Sequence, residues 1–200
     1  ITGCIGDGRG AAIDDGEFGN RVTVDRCLVD HNFGSPVISI GGYTGIGQLR
    51  MVNSTVSNNQ GGIVFANVEG PGGLNRIWAS TLVENGSANL DVGADQQVRI
   101  DHTILKQTPR RGFTPVDCVL NGTVFRPPGT PNLYSSASLA SDASCGLVGP
   151  LDRENVDPLL DELADNGGPT ATRALIPGSV AIDGGDTVCT GPDAALTVDQ

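Results

Sequence analysis

The sequence predicts an all-β fold, a right-handed parallel β-helix (solenoid) that ends in an irregular, loop-rich C-terminal cap. Three observations predict this fold. A short phrase returns four times, apolar and polar residues alternate over strand-length runs, and 29 Gly and 12 Pro among 200 residues favour tight turns over long helices. A repeat of this size built from short strands is typical of a solenoid, whose coils stack around one shared core.

The repeated phrase sets the coils of the predicted solenoid. Its copies begin 28, 26 and 22 residues apart, and each interval contains a glycine-rich stretch before the next apolar run. The four copies are Val24–Asp30, Val52–Asn58, Trp78–Glu84 and Ile100–Lys106. One copy is too small to bury its own apolar side, so we expect the first residues of all four copies to lie above one another.

Each coil is predicted to hold two or three short strands separated by bends. The alternation in Val22-Thr23-Val24 and Val98-Arg99-Ile100 is typical of a half-buried strand. A second apolar segment follows the phrase in successive coils. These segments are Val37–Ile40, Gly62–Phe65 and Asn89–Val92, with an earlier match at Ala12-Ile13.

Polar residues recur at matching positions and predict structural ladders between coils. One predicted column contains Cys27, Thr55, Thr81 and Thr103, and another contains Asn59, Asn85 and Gln107. Stacked hydroxyl and amide side chains satisfy hydrogen bonds between coils, and Asn accepts the left-handed backbone that sharp bends need. We therefore interpret these Thr, Asn and Gln residues as structural rather than catalytic.

The repeat pattern divides the chain into two parts. Residues 1–107 are predicted to form the β-helix rungs, and residues 108–200 an irregular C-terminal capping segment. Residues 109–146 are rich in Pro, Ser, Gly and Asn without periodicity, and Val156–Leu163 predicts one short helical turn. A solenoid needs a cap because its last strands otherwise leave unpaired edges that recruit other chains.

The capping segment also carries a family resemblance. Its motifs are Asp157–Leu160, Leu163–Thr172 and Ala174–Asp186. These stretches resemble the choice-of-anchor Q domain of large bacterial surface or secreted proteins, which is generally attached to parallel β-helix repeats. Arg173 and Val180 depart from the family, which usually has His and Pro there. The resemblance implies a surface or secreted location. It implies no enzymatic reaction, because the family has no established enzymatic activity.

The resemblance extends beyond the tail and bears on the length of the chain. Asn53-Ser54-Thr55-Val56, followed by Gly61-Gly62-Ile63, resembles the repeats typical of that group. The family commonly continues with an Arg-Gly and a further Cys past the position of Gln200, and this chain opens at Ile1 without a Met. We therefore expect the sequence to be a segment of a longer protein.

Cysteine usage predicts an extracellular or cell-surface protein. Cys4 and Cys27 are about one coil apart and within possible disulfide reach, whereas Cys118 and Cys145 bracket an irregular segment that a disulfide would constrain. Cys189 is then left over. The alternative is five reduced thiols in a cytosolic protein, which would leave the irregular tail without a means of being held.

The net charge of the chain limits the partners that it can bind but does not exclude calcium. The net charge of −11 argues against nucleic acid or an anionic membrane as partner, and no apolar run is long enough for a transmembrane segment.

Two acidic loops, Asp14–Glu17 and Asp152–Asp157, have the oxygen ligands that Ca²⁺ prefers, so calcium is a possible cofactor. Neither loop matches an EF-hand or a calcium-roll repeat, and solvated acidic loops are the simpler interpretation.

Two functions from different classes remain. The first is a non-catalytic structural or adhesive protein that meets a protein or polysaccharide at the cell surface, or assembles with itself. The second is an extracellular polysaccharide lyase or hydrolase of the β-helix type, which needs paired carboxylates in a groove. Its candidate residues are Asp25, Asn53 and Asp101 in one column and Asp30, Glu84 and Lys106 in another. We favour the first function and assign no catalytic residue, because these side chains also fit ordinary solvent-facing strand positions.

A lyase for acidic sugars also needs clustered Lys or Arg to bind the substrate carboxylates. Lys106 is the only lysine, and the arginines are scattered along the sequence. Arg50 and Arg76 align if the coils are in the expected register, but a slip of one residue would separate them.

Overall fold

A computed structural model describes residues 5–6, 12–14, 21–41, 47–66, 74–122 and 131–185. These residues contain eighteen strands and no helix. Sixteen of the strands form three parallel sheets that wind around a common interior, and the last two form an antiparallel hairpin. The predicted all-β parallel β-helix is therefore confirmed.

The three parallel sheets, here called sheets I, II and III, receive one strand each from every full coil. Sheet I contains β3 (Arg21–Asp25), β6 (Gln48–Val52), β9 (Leu74–Trp78), β12 (Gln97–Asp101) and β15 (Leu133–Ser136). Sheet II contains β1 (Ile5–Gly6), β4 (Leu28–Asp30), β7 (Thr55–Ser57), β10 (Thr81–Val83), β13 (Ile104–Lys106) and β16 (Leu139–Ala140). Sheet III contains β2 (Ile13–Asp14), β5 (Ile38–Ile40), β8 (Ile63–Phe65), β11 (Ala88–Val92) and β14 (Val116–Leu120).

The core lies inside the coil, where each sheet contributes a column of apolar side chains. The buried residues lie in one cluster that runs through successive coils. Fully buried members from the three sheets include Val24, Met51, Ile77 and Ile100, then Val56, Leu82 and Leu105, then Ile38, Ile63 and Leu90. Alternation turns every second residue outward, so the outer faces of the sheets carry the polar side chains.

The register differs from the predicted one by a single residue in the first and fourth copies of the phrase. Val24 lies opposite Met51 rather than Val52, and Trp78 lies opposite Asp101 rather than Ile100. The prediction failed because Val52 is apolar and buried although it lies outside the core cluster. Pairing of Val52 with Trp78 follows the prediction.

The predicted threonine column is corrected by the same slip. The column actually contains Leu28, Thr55, Thr81 and Ile104. Thr103 and Cys27 lie one position earlier, at the corner between sheets I and II. There the Cys27 amide donates to Ser54 Oγ at 3.1 Å, and the Thr103 amide donates to Ser138 Oγ at 3.3 Å. A hydroxyl ladder therefore follows this corner.

The corner residues just before this ladder adopt the left-handed backbone. Their φ values are 51° at Arg26, 45° at Asn53, 42° at Ala79, 50° at His102 and 48° at Ala137. Asn53 and His102 belong to residue types that are enriched in this region, whereas Arg26, Ala79 and Ala137 do not. The bend is therefore imposed by the stacking of the strands on either side rather than by local sequence preference.

A buried amide ladder follows the corner between sheets II and III. Asn32 Nδ2 donates to Asn59 Oδ1 at 2.8 Å, and Asn59 Nδ2 donates to Asn85 Oδ1 at 2.8 Å. The next member is Asn89, whose Oδ1 accepts from Asn85 Nδ2 at 3.0 Å. Gln107 contacts this ladder from the side, since its Nε2 donates to the Asn85 carbonyl at 3.2 Å. The amide groups thus satisfy one another inside the coil.

The ladder ends on a buried carboxylate in the cap. Asp117 Oδ1 accepts from Asn89 Nδ2 at 3.0 Å, and its Oδ2 accepts from the Ser141 amide at 2.6 Å and the Ser141 hydroxyl at 2.8 Å. Burial raises the pKa of Asp117 above its ordinary value, although the Ser141 hydrogen bonds oppose that effect.

The solenoid extends past residue 107, so the predicted boundary lies too early. Strands β14, β15 and β16 belong to the capping segment by sequence, yet they pair in the same three sheets as the repeats. Their repeat was missed because turn residues dominate the segments between them. The coil ends near Arg153, which forms a parallel bridge with Leu139.

The closing turn is held by a disulfide and a carboxylate. The predicted Cys118–Cys145 disulfide is confirmed and joins β14 to the cap. Asp152 accepts from Ser135 Oγ at 2.6 Å and from the Ser138 amide at 2.9 Å. These bonds satisfy polar groups at the end of the solenoid, where no further coil is available to pair with them.

The remaining tail forms a hairpin rather than the predicted helical turn. Strand β17 (Leu160–Ala164) pairs antiparallel with β18 (Thr172–Leu175). Apolar residues in this segment have a spacing that resembles a helix, but their pairing with β18 decides the conformation. Arg173 attaches the hairpin to the outside of sheet II, because its Nε donates to Ser57 Oγ at 3.1 Å and its Nη2 to Asn58 Oδ1 at 3.2 Å.

Replacing Arg173 with alanine is expected to loosen this hairpin. The change removes the two bonds to sheet II and a third from Nη1 to the Asp161 carbonyl at 3.2 Å. Their loss should lower the local stability by about 1–2 kcal/mol, which increases amide exchange in β17 and β18 by a factor of about 5–30. Hydrogen-exchange mass spectrometry would measure it, with Arg111→Ala on an exposed turn as the control. Unchanged exchange in Arg173→Ala would contradict this role.

Candidate functional site

Three arginines form a column on the outer face of sheet I. Arg50 lies directly opposite Arg76, and Arg76 lies directly opposite Arg99. Their side chains point outward because the neighbouring strand residues, such as Met51 and Ile77, point into the core. Adjacent strands are about 4.8 Å apart, so the column presents one guanidinium group per coil along the solenoid axis. Thr23 and Tyr134 extend the column at its two ends.

A shallow groove of about 120 Å³ lies beside the column. Its lining consists of Arg21, Gln48, Leu49, Arg50, Leu74 and Arg76. Arg21 Nη2 donates to Gln48 Oε1 at 3.2 Å, which orients the amide along the groove. The groove therefore combines three guanidinium groups, one carboxamide and an apolar floor.

The column places like charges at directly paired positions of the sheet. Like charges directly opposite one another on a sheet are destabilising. Arg99 is partly compensated, because its Nε lies 2.7 Å from Asp101 Oδ2 and this hydrogen bond raises the Arg99 pKa. Arg76 is half-buried and has no hydrogen-bond or ion-pair partner among the described residues. An external anion would relieve this repulsion.

The first set of candidate catalytic residues does not form a carboxylate pair. Asp25 and Asp101 share a column, but two coils lie between them, and these contribute Val52 and Trp78 to the column. Asn53 lies in the next position, at the left-handed corner. Asp25 Oδ2 lies 3.4 Å from Arg26 Nη2. These residues are therefore too far apart to act on one bond.

The second set is also dispersed, and each member is engaged elsewhere. Asp30 and Lys106 share a column with Ser57 and Val83 between them, and Glu84 lies at the bend one position later. Their partners are Asn58 for Asp30, Thr108 for Glu84 and Asp157 for Lys106. The hydrogen bond from Lys106 holds the pKa of Asp157 below its ordinary value.

The second acidic loop uses its carboxylates to bind the backbone. In the second loop, Asp152 accepts from the amides of Ser138 and Gly149, and Glu154 accepts from the Leu147 amide at 2.9 Å. Only Asp14 of the first loop lies within the described residues. Within the described ranges, no group of three or more His, Cys, Asp or Glu side chains could hold a metal ion. Calcium binding stays a prediction.

A second cavity, of about 150 Å³, lies between the solenoid and the tail. His102, Ile104, Ala137 and Leu139 line one side, and Leu175, Ala181, Gly184 and Gly185 line the other. Both ring nitrogens of His102 are buried without a hydrogen-bond partner. No sequence pattern indicates this cavity, because the position of the tail on the solenoid could not be predicted. One imidazole among apolar groups supplies no second acid or base.

The other predicted disulfide falls partly outside the described residues. Cys27 is buried at the corner of the first coil, while Cys4 and Cys189 lie outside the described ranges. The described residues include no apolar helix of membrane-spanning length.

Comparisons with known proteins identified no relative of this chain. The scan against protein-family models, the search of curated proteins and the search of solved structures each found no match to this chain. The resemblance to the choice-of-anchor Q domain therefore stays a prediction.

Proposed function

We propose that the chain is a non-catalytic β-helix that works outside the cell or at the cell surface as a structural or adhesive protein. The observation that carries this proposal is the outer face of sheet I, which offers a cationic column and, among the residues that the structure describes, no converging pair of carboxylates. Such a face can bind a long partner, whereas a hydrolase needs an acid and a base close together.

Two features support the location. The Cys118–Cys145 disulfide is typical of proteins that fold in an oxidising compartment. The resemblance of residues 157–186 to the choice-of-anchor Q domain also favours a secreted or surface protein. In the proposed role, the hairpin that Arg173 attaches to sheet II belongs to the wall of the rod rather than to a separate domain.

A polysaccharide-active enzyme is the second candidate, because the arginine column is a feature that such an enzyme would also use to bind acidic sugars. The two proposals differ in what happens to the polymer. A binding protein retains it intact, whereas an enzyme releases shorter chains with new ends.

The deciding experiment incubates the purified chain with a panel of uronate-containing polysaccharides and measures both retention and new chain ends. We expect retention of at least one polymer without cleavage. Cleavage that disappears in Asp101→Asn or Asp25→Asn would refute the non-catalytic proposal and favour the enzyme. Arg110→Gln, on an exposed turn away from sheet I, serves as the control for loss of one charge.

A further inference from the structure

We propose that Arg50 and Arg76 form the centre of a binding site for a linear polysaccharide that carries carboxylate or sulfate groups. The polymer would lie along the solenoid axis on the outer face of sheet I. This inference rests on the proposed function, because it names the chemistry of the partner that the rod would hold.

The repeat of the column matches a repeating anion. Arg50, Arg76 and Arg99 lie at partner positions on three successive strands, so their Cα atoms recur about every 4.8 Å along the solenoid axis. One sugar residue of an extended glycan has a similar length. A polymer with one acidic group on each sugar, or on alternate sugars, can therefore meet successive arginines without leaving the face.

The chemistry of the groove also fits a sugar acid. Guanidinium groups bind carboxylate and sulfate oxygens through paired hydrogen bonds, which Lys cannot provide, and all the cationic groups lining the groove are arginines. The Gln48 amide can bind hydroxyl groups. Leu74 is 36 % exposed and offers an apolar surface to the carbon-bearing face of a sugar ring.

The charge of the whole chain favours a polysaccharide over a nucleic acid. With a net charge of −11, the chain repels densely charged polyanions at long range. Duplex DNA carries one charge per about 1.7 Å of axis, far denser than the guanidinium spacing on sheet I. A glycan with more widely spaced acidic groups meets less repulsion outside the groove while keeping its contacts to the arginines.

The test compares the double variant Arg50→Gln/Arg76→Gln with wild type in binding to polygalacturonate, dextran sulfate, neutral dextran and duplex DNA. The control, Arg110→Gln/Arg111→Gln, removes the same charge from an exposed turn. We expect the sheet I variant to raise the Kd for polygalacturonate or dextran sulfate by about tenfold or more, and the control by less than about twofold. The polymer that shows the larger effect distinguishes carboxylate from sulfate as the preferred group.

Thermal unfolding shows whether a loss of binding reflects loss of the fold. Because substitutions of exposed or half-buried surface residues usually change stability by about 0.5 kcal/mol or less each, the unfolding midpoint of the sheet I variant should stay within about 4 °C of that of wild type. A fall of both midpoint and affinity would mean that the arginines are structural, and it would overturn the inference.

Three further results would also overturn it. They are equal loss of affinity in the control, tighter binding to DNA than to either acidic polymer, and no binding to either acidic polymer. Cleavage of a bound polymer would refute only the non-catalytic proposal, because the sheet I face would still be the binding site. Absence of both binding and cleavage would refute this inference while leaving a structural role for the rod.

Discussion

Replacing Asn85 with alanine is expected to lower the free energy of unfolding by about 3–5 kcal/mol. Asn85 is fully buried, and its side chain accepts from Asn59 Nδ2 and donates to the Val56 carbonyl and Asn89 Oδ1. Alanine leaves these groups inside the coil with no solvent to replace the lost bonds, and each unsatisfied buried group costs about 1–3 kcal/mol. Urea unfolding followed by circular dichroism would measure the loss.

Asn121→Ala is the matched control for the amide ladder. Asn121 is exposed, and its Nδ2 donates to Asp91 Oδ1 at 3.0 Å and to the Val92 carbonyl at 3.2 Å. We expect a loss of about 1 kcal/mol or less, because water can replace hydrogen bonds of an exposed side chain. If Asn85→Ala cost no more than the control, the ladder would not be a source of stability.

Replacing both Cys118 and Cys145 with alanine is expected to lower the unfolding midpoint by about 10 °C. The disulfide spans 27 residues of sequence, and closing a loop of that length stabilises the fold by about 3–4 kcal/mol in the chain-entropy estimate. A change of 1 kcal/mol shifts the midpoint of a chain of this size by about 2–4 °C. Differential scanning calorimetry would measure the shift.

Reduced wild type provides the control for this prediction. Treatment with a reductant should lower its midpoint by at least a similar amount. A further fall that the double alanine variant shares would come from the predicted Cys4–Cys27 disulfide. The opened cap should also expose the edges of β14 and β16 and so promote aggregation on heating. A double variant that unfolds within about 2 °C of oxidised wild type would show that the cap is held by other contacts.

The parallel β-helix could be predicted because its signal is repeated in every coil. Val22-Thr23-Val24 and Val98-Arg99-Ile100 show the same alternation, and a solenoid is the fold that lets such short strands share a core. The strands of the cap carry a weaker signal. Cys118 lies in β14, but that strand ends in exposed Val119 and Leu120, so its apolar pattern does not distinguish inside from outside.

The register could not be predicted from the phrase alone. Val52 and Trp78 are buried apolar residues outside the core cluster, so an alignment that places apolar residues together slips by one position at Val24 and Ile100. The inward position is decided by the pleat and by stacking of whole coils rather than by the polarity of one residue. This slip misplaced Thr103 and Asn53.

The candidate site depends on the same register. Arg50, Arg76 and Arg99 lie 26 and 23 residues apart in sequence, and neither interval indicates a cluster without knowing the length of each coil. Once the strands are paired, the three side chains must share one face because they occupy partner positions. The cavity beside His102 could be predicted even less, because the tail residues on its other side are positioned by tertiary contacts of the hairpin.

An NMR titration of arginine side chains with a short galacturonate oligomer tests the central claim most directly. The Nε–Hε signals of Arg50 and Arg76 should shift together as the oligomer is added, and those of Arg110 and Arg111 should stay in place. Addition of salt should reverse the shifts, because screening weakens exposed ionic contacts. Shifts confined to Arg110 and Arg111, or no shift at any arginine, would contradict binding on sheet I.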